Sequence, residues 1–196
     1  MTLLSLDDLV AQVRGAPVRA GSTRVLAIDG PAGSGKSTLA ARLASVLRAP
    51  VVHMDDLYPG WDGLAAAAPL LRNWIIEPIT QGRPVRYQRY DWSRGGYGDW
   101  VDLPRTNVLV VEGCGCGSRI IGPYLSMLLW VEAPHEIRFA RGIERDGEAN
   151  RPLWERWARQ EDALFEAEHT RERADHRIDG TADAAHDTAG YVVTID

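Results

Sequence analysis

A glycine-rich stretch with a single lysine is the part of the sequence best suited to bind phosphate. Residues 30–37 read Gly-Pro-Ala-Gly-Ser-Gly-Lys-Ser and match the pattern G-x-x-x-x-G-K-[ST]. Glycines let successive backbone N–H groups converge on phosphate oxygens, and a helix that begins near Lys36 adds its positive dipole end. Lys36 is the only lysine in the chain, and its compact ammonium group fits such a loop better than a guanidinium. The pattern therefore predicts binding of a nucleoside triphosphate.

Each position of this loop has an expected role. Lys36 should reach the β- and γ-phosphates, Ser37 should place its hydroxyl on Mg²⁺, and Thr38 should lie near the α-phosphate. The loop positions expected to bind the nucleotide are Gly30, Ala32, Gly33, Ser34, Gly35, Lys36, Ser37 and Thr38.

Acidic residues follow two apolar runs that are predicted to be strands. Asp55 and Asp56 come directly after residues 51–54, and Glu112 ends the run 107–112. Ligands of a parallel sheet bind beyond the carboxyl ends of its strands, so these acids should face the phosphate loop. There a carboxylate can hold Mg²⁺, or accept a proton from an attacking hydroxyl. The simpler alternative for the Asp pair is a helix cap and turn.

Three arginines recur at helical spacing later in the chain. Arg138, Arg141 and Arg145 stand at i, i+3 and i+7, so they share one helix face. Residues 138–160 could form a lid whose arginines neutralise the charge of a transferring phosphoryl group. The alternative is a solvated face on which the arginines form ion pairs with nearby acids, namely Glu144, Asp146 and Glu148.

The stretch 57–102 is rich in aromatic residues and fits no simple alternation of strands and helices. It contains eight of the fifteen aromatic residues of the chain, together with several arginines such as Arg89. Stacking faces combined with cations suit a planar polar or anionic ligand, which would make this stretch an acceptor-binding segment. A surface excursion with a small core of its own is an equally open interpretation.

Apolar runs alternate with helical patterns through the rest of the chain. Strands are predicted at 24–29, 51–54, 107–112, 127–132 and 191–196, and helices at 3–13, 37–48, 135–145 and 153–170, with Ser5 as a helix cap. This order predicts an α/β fold with a five-stranded parallel sheet covered by helices on both faces. A length of 196 residues suits a single domain over 1–196.

Composition excludes several classes of partner. The net charge of −5 gives no basic footprint for nucleic acid, and no apolar run is long enough for a membrane span. The amino-terminal residues lack the basic start of a signal peptide, which favours the cytoplasm. Cys114 and Cys116 are too few for a zinc site and read as small reduced residues in a turn. The chain could also assemble as a homo-oligomer.

The motifs together resemble the uridine kinase family and, more broadly, the small P-loop nucleoside and nucleotide kinases. Beside the phosphate loop, the resemblance rests on Asp55-Asp-Leu-Tyr58, Tyr90-Asp-Trp92, Val111-Glu-Gly113, and the arginines 138, 141 and 145. It implies a P-loop kinase fold, ATP and Mg²⁺, and transfer of the γ-phosphoryl group to a hydroxyl of a small, nucleoside-like acceptor.

The resemblance also implies residue roles. Asp55 corresponds to the family's catalytic base toward the nucleoside 5′-hydroxyl, and it would join Ser37 and Glu112 in supporting Mg²⁺. Lys36, Arg141 and Arg145 would act on the transferring group, and Arg138 would contact the nucleotide. The expected acceptor contacts are Asp55, Tyr58, Arg89, Tyr90 and Trp92.

The chain departs from the family at three places. The segment after Tyr90-Asp-Trp92 lacks the His that reads the pyrimidine, and Gly142 stands where a lid arginine is usual. After Glu112 the family usually has bulky apolar residues, whereas residues 114–117 of this chain read Cys-Gly-Cys-Gly. A GTPase switch is excluded because its Asn-Lys-x-Asp element needs a second lysine. A P-loop ATPase, a nucleotide-binding regulatory protein, and a kinase for a nucleotide, sugar or vitamin alcohol stay open as alternatives.

Overall fold

A seven-stranded sheet forms the centre of the protein. The computed structural model describes residues 2–181 and 190–195. In chain order its elements are β1 (Thr2–Ser5), α1 (Leu6–Gly15), β2 (Arg24–Asp29), α2 (Lys36–Leu47), β3 (Val51–His53), α3 (Leu64–Leu71), α4 (Glu77–Thr80), β4 (Val85–Asp91), β5 (Gly96–Leu103), β6 (Val108–Glu112), β7 (Leu125–Glu132), α5 (His135–Asp146), α6 (Arg151–Glu168), α7 (Thr170–Arg173), β8 (His176–Asp179) and β9 (Tyr191–Ile195). The strand order is β1-β9-β8-β7-β2-β6-β3.

The predicted α/β fold is confirmed, but the fifth parallel strand is a different one. Strands β3, β6, β2, β7 and β8 are parallel, whereas β9 runs antiparallel to β8. The prediction that 191–196 completes the parallel sheet was wrong, because β9 pairs antiparallel with β8. Residue 196 of that run lies outside the described residues. The sequence pattern missed β8 because its four residues, His-Arg-Ile-Asp, include only one apolar side chain.

The helix predicted from Leu3 begins later. Thr2–Ser5 forms an edge strand paired antiparallel with β9, and α1 starts at Leu6. Pairing with a distant strand outweighs the helical spacing of these residues. Ser5 is nevertheless the helix cap, since its hydroxyl accepts a hydrogen bond from the Asp8 N–H over 3.0 Å.

Alternation along the central strands divides the core into two layers. In β2, Val25 and Ala27 face one layer, whereas Leu26 and Ile28 face the other. Helices α1 and α2 cover the second layer, and α3 with part of α6 covers the first. Among the described residues, no helix has the length and apolar character needed to cross a bilayer.

The stretch 57–102 has regular structure of its own. Helix α3 continues through a π-helical turn at Arg72–Ile76 into α4, and β4 and β5 then form an antiparallel hairpin. The hairpin is anchored by buried Val85 and Tyr87, which belong to the same core layer as α3. The segment therefore packs against the central sheet through α3 and β4, while β4 and β5 form a separate two-stranded sheet.

Candidate phosphoryl-transfer site

Parallel register brings the ends of three strands together at one edge of the sheet. Glu112 at the end of β6 is the register partner of Ile28 in β2 and of His53 in β3. The phosphate loop follows β2 directly, and Asp55 lies just beyond β3. The acids and the loop therefore meet at the edge where ligands of such sheets bind.

A cleft of about 660 Å³ opens at this edge. Its walls come from the phosphate loop, the ends of β3 and β6, the hairpin, the end of α5 and the start of α6. The lining residues are Ala32, Gly33, Lys36, Ser37, Asp55, Tyr58, Trp61, Trp92, Glu112, Gly113, Cys114, Arg145, Asp146, Asn150, Trp154 and Trp157. A wider, shallow groove between α5 and α6 contains none of the loop residues, so the chemistry is assigned to the first cleft.

Lys36 is the buried cation of the cleft. Its side chain is 6% exposed, and Nζ donates a hydrogen bond to the Pro31 carbonyl over 2.8 Å. Burial alone would lower the pKa of Lys36, but nearby carboxylates, including Glu161 and Glu112, hold the pKa above its usual value. The group thus stays protonated and suited to contact a phosphate oxygen.

Ser37 and Glu112 supply oxygen atoms at one point of the cleft. The Ser37 hydroxyl donates to Oε1 of Glu112 over 3.2 Å, and His53 Nδ1 lies 2.6 Å from the same oxygen. The described residues hold no cluster of three or more His, Cys, Asp or Glu arranged around a metal. Mg²⁺ typically needs only one or two carboxylates because waters and substrate phosphates complete its shell, so this donor set fits it.

Asp55 faces the open part of the cleft. Its side chain is exposed there, yet the crowding of protein atoms around it raises its pKa by desolvation, and the charge of Glu112 raises it further. The cations Lys36 and Arg145 act in the opposite direction. A carboxylate with a raised pKa at this position could accept a hydroxyl proton near neutral pH.

Only one of the three predicted lid arginines lines the cleft. Arg145 does so, whereas Arg138 donates to the Ala32 carbonyl over 3.2 Å and Arg141 donates to the Gly33 carbonyl over 3.2 Å. In this arrangement Arg138 and Arg141 hold the backbone of the phosphate loop. The three do share one face of α5, but their predicted contacts with the triphosphate stay predictions.

Gly33 allows α5 to pack directly on the loop. Its φ is +78°, and a Cβ atom built there would lie 2.5 Å from the carbonyl oxygen of Arg138. Any side chain would therefore push α5 away from the loop. The glycine serves helix packing in addition to phosphate access.

An aromatic wall lines the same cleft as the phosphate loop. Trp61 contacts Trp92 edge to face at a ring-centroid distance of 5.6 Å, Trp157 at 6.1 Å and Trp154 at 6.5 Å. Tyr58 packs against Trp157 at 4.8 Å. Trp61, Trp154 and Trp157 were not predicted as site residues. Trp154 and Trp157 stand three residues apart on one face of α6, and this spacing is as typical of core packing as of a binding site.

Two predicted acceptor residues do not line the cleft. Arg89 forms an ion pair with Asp56 at 3.1 Å, and Tyr90 packs behind Trp92 with ring centroids 5.3 Å apart. Trp92 lines the cleft itself and donates from Nε1 to the Asp55 carbonyl over 3.0 Å. Tyr90 therefore supports the wall, and the Arg89 charge is already balanced.

Gly142 lies at the point where Trp154 packs on α5. A Cβ atom at Gly142 would lie 2.4 Å from the Trp154 ring, so the indole occupies the space of a side chain at this position. Trp154 donates from Nε1 to Asp146 over 2.9 Å, and Arg145 forms two hydrogen bonds to the same carboxylate. The tryptophan thus orients the one arginine that lines the cleft.

The cysteine turn, residues 113–117, is held by the carboxylate of Asp29. Cys114 and Cys116 are free and buried, and burial raises the pKa of both thiols well above its ordinary value. Asp29 accepts hydrogen bonds from the N–H groups of Gly115 and Gly117 over 2.9 and 2.8 Å. These contacts agree with the predicted reduced residues in a tight turn.

The fold is similar to that of solved structures. The chain has the fold of the uridine-kinase-like P-loop kinases. A candidate uridine kinase from Bacillus stearothermophilus superposes with a TM-score of 0.65 at 22% identity, over 88% of this chain and 96% of that one. A candidate fructose transport system kinase from Silicibacter sp. TM1040 superposes with a TM-score of 0.56 at 23% identity, over 87% of this chain and 95% of that one.

Both likenesses concern the fold alone. No protein-family model matches the chain, and no curated protein matches it.

Proposed function

We propose that the protein is an ATP-dependent kinase that phosphorylates a hydroxyl group of a small, nucleoside-like molecule. One observation carries this proposal: Lys36, Ser37, Asp55, Glu112 and Arg145 line the same cleft as a wall of tryptophans. The first group can bind and polarise a triphosphate, and the wall offers stacking surfaces for an acceptor.

The chemistry follows from the position of each side chain. Lys36 and Arg145 bind the γ-phosphoryl oxygens and offset the charge that develops on them. Asp55 accepts the proton of the acceptor hydroxyl as its oxygen bonds to the γ-phosphorus and the bond to the β,γ-bridging oxygen breaks. ADP leaves, and the proton passes from Asp55 to water.

Ser37 and Glu112 are the residues that would hold Mg²⁺, with Asp55 as a further carboxylate that lines the same cleft. The ion would supply positive charge to the β- and γ-phosphate oxygens. The tryptophan wall and the end of α5 would exclude water, which otherwise competes with the acceptor for the phosphoryl group.

The proposal covers the whole chain as one kinase domain acting in the cytoplasm. Residues 57–102 would bind the acceptor, and residues 138–160 would act as the lid. Both fold relatives are named as kinases of different acceptors, so the acceptor has to be found by assay.

The decisive experiment is a panel of acceptors incubated with ATP and Mg²⁺. Nucleosides, nucleoside monophosphates, sugars and vitamin alcohols would each be scored for ADP formed above the rate without acceptor. Stimulation by at least one hydroxyl acceptor is expected. Steady ADP formation that no acceptor increases would instead support a P-loop ATPase, and nucleotide binding without turnover would support a regulatory protein.

A further inference from the structure

A buried glutamate on α6 joins the two halves of the cleft. Glu161 is only 2% exposed, although a buried carboxylate is costly unless donors or a cation compensate it. It was not singled out from the sequence, where it reads as one of many charges on a polar helix. Its partners come from three other segments of the chain as well as from its own helix.

One oxygen of this carboxylate receives three donors. Oε1 of Glu161 accepts hydrogen bonds from the Ala32 N–H over 2.6 Å, from Trp157 Nε1–H over 2.8 Å and from the Cys114 thiol over 3.0 Å. The other oxygen lies 3.6 Å from Nη1 of Arg138. The phosphate loop, the acceptor wall and the cysteine turn therefore meet at a single atom.

Glu161 and Arg138, which form an ion pair, bind the two backbone polar groups of Ala32 in the phosphate loop. Glu161 accepts from its N–H, and Arg138 donates to its carbonyl oxygen. Ala32 and Gly33 line the cleft, so a change in this pair would alter the loop where a nucleotide is expected. Hydrogen bonds to charged groups are stronger than those between neutral groups, which makes the clamp stiff.

Trp157 is the acceptor-side partner of the clamp. Its ring is 5% exposed, lines the cleft and packs edge to face against Tyr58 and Trp61. The indole N–H and the Ala32 N–H of the loop share one acceptor oxygen, so a molecule that moved the indole would also disturb the loop's hydrogen bond. Gln160, which precedes Glu161 in the sequence, donates to the Trp61 carbonyl over 2.7 Å and so fixes Trp61 to the same helix.

We propose that Glu161 is a positioning residue that couples the acceptor wall to the phosphate loop through the carboxylate oxygen shared by Trp157 and Ala32. The inference rests on the proposed function, because it takes the cleft to hold both nucleotide and acceptor. Glu161 does not itself line the cleft, so it acts through its partners.

The test uses nucleotide binding and needs no known acceptor. The dissociation constant of Mg²⁺ with AMP-PNP, a non-hydrolysable ATP analogue, would be measured by calorimetry on the full chain. The variants are Glu161→Gln, Trp157→Phe and their combination, and the matched control is Glu166→Gln, an exposed position on the same helix. Trp157→Phe keeps an aromatic ring in the wall, although a smaller one, and removes the indole N–H donor.

We expect Glu161→Gln to weaken AMP-PNP binding about tenfold, in keeping with the loss of a charge-assisted hydrogen bond. Trp157→Phe should weaken it several-fold, and the double variant should bind no worse than Glu161→Gln alone, because both changes break the same connection. Glu166→Gln should bind as the unaltered protein does, and Glu166→Gln combined with Trp157→Phe should bind as Trp157→Phe does.

Three outcomes overturn the coupling: unchanged binding in Trp157→Phe, unchanged binding in Glu161→Gln, or additive losses in the double variant. A merely structural role would lower thermal stability without producing the non-additivity. Should Glu161→Gln fail to fold, Glu161→Asp and Trp157→Phe carry the same test, since Asp keeps the charge and shortens its reach. Failure of the unaltered protein to bind AMP-PNP would overturn the proposed function itself, whereas normal binding with no coupling overturns only this inference.

Discussion

The hydroxyl of Ser37 donates to Oε1 of Glu112 over 3.2 Å, which joins the first turn of α2 to the end of β6. The two residues are far apart in sequence, and parallel pairing of β2 with β6 brings them together. The contact places a hydroxyl and a carboxylate side by side beside Lys36. The proposed magnesium site depends on this pair.

Glu112→Gln should raise the Mg²⁺ concentration needed for half-maximal turnover by about tenfold or more, because an amide is a weaker ligand than a carboxylate. The measurement is ADP formation against Mg²⁺ concentration at saturating ATP. Glu136→Gln, an exposed position on α5, serves as the control. An unchanged Mg²⁺ requirement in Glu112→Gln would place the ion elsewhere.

Lys36→Ala should lower turnover by several orders of magnitude, because no other lysine can replace its charge beside the β- and γ-phosphates. Lys36→Arg is the informative partner variant, since it keeps the charge but introduces a planar group that the loop cannot accommodate. Both variants would be assayed for ADP formation with ATP and Mg²⁺. Turnover close to that of the unaltered protein in Lys36→Ala would contradict the role of the loop.

Asp55→Asn should leave AMP-PNP binding within about twofold and reduce acceptor-stimulated transfer by about 10²- to 10⁴-fold, the usual contribution of a general base. The base works when deprotonated, and desolvation raises its pKa. Transfer should therefore be lost as the pH falls through that raised pKa. The rate measured against pH should show this acidic limb, and the limb should be absent from the residual rate of Asp55→Asn.

An acidic limb that persists in Asp55→Asn would assign it to another group. His53 and Glu112 are candidates, because the charges of both act on Asp55 and His53 Nδ1 lies 2.6 Å from the Glu112 carboxylate. Repeating the profile in Asp55→Asn with His53→Gln added would separate these contributions.

The phosphate-loop side of the cleft could be predicted from sequence because its signals are local. Residues 30–37 form a contiguous motif, and Asp55 and Glu112 stand at or just beyond the ends of recognisable strands. Strand β8 escaped prediction because its single apolar residue gives no pattern, and β1 because its pairing with β9 depends on distant residues. In both cases the deciding contacts are not local in sequence.

The acceptor side could not be predicted as well, because it forms when separate segments pack. Trp154 and Trp157 show the spacing of ordinary core residues on α6, and only the docking of α6 against Trp61 makes them a wall. Arg89 was predicted to contact the acceptor, but it forms an ion pair with Asp56, which lies in the turn after β3. Pairing of this kind is set by the fold and leaves no signature in spacing.

Gly142→Ala should destabilise the protein by about 1–3 kcal/mol, the usual cost of an extra methyl group in a packed site. The new Cβ would lie 2.4 Å from the Trp154 ring, so the ring must move and release its hydrogen bond to Asp146. Chemical denaturation measures the change. Gly15→Ala, where nothing lies within 4 Å of the added atom, should be neutral or slightly stabilising.

The same variant has a functional consequence that a simple loss of stability lacks. Displacement of Trp154 frees Arg145 from its present orientation, so the Michaelis constant for ATP should rise even at temperatures where Gly142→Ala is fully folded. Equal constants in Gly142→Ala and the unaltered protein would show that Arg145 needs no such support.

Asp29 should make the stability of the protein fall as the pH rises from 4 to 6. Burial raises its pKa from 3.8 to about 6, against the effect of three backbone N–H donors. The folded state therefore binds a proton more tightly than the unfolded state. Its contribution is fully present below the unfolded pKa and is lost as the pH rises through the folded pKa, by about 3 kcal/mol at most.

Chemical denaturation at several values between pH 4 and 7 would measure this dependence in the unaltered protein and in Asp29→Asn. The amide keeps an oxygen for Gly30 and Gly115 but turns its NH₂ group toward the Gly117 N–H. Asp29→Asn should therefore be less stable than the unaltered protein at pH 4, and its stability curve should lack the fall attributed to Asp29, so the difference between the two proteins should shrink as the pH rises. An identical pH dependence in both proteins would mean that Asp29 stays ionised, held by its three donors in the manner of a carboxylate with a low pKa.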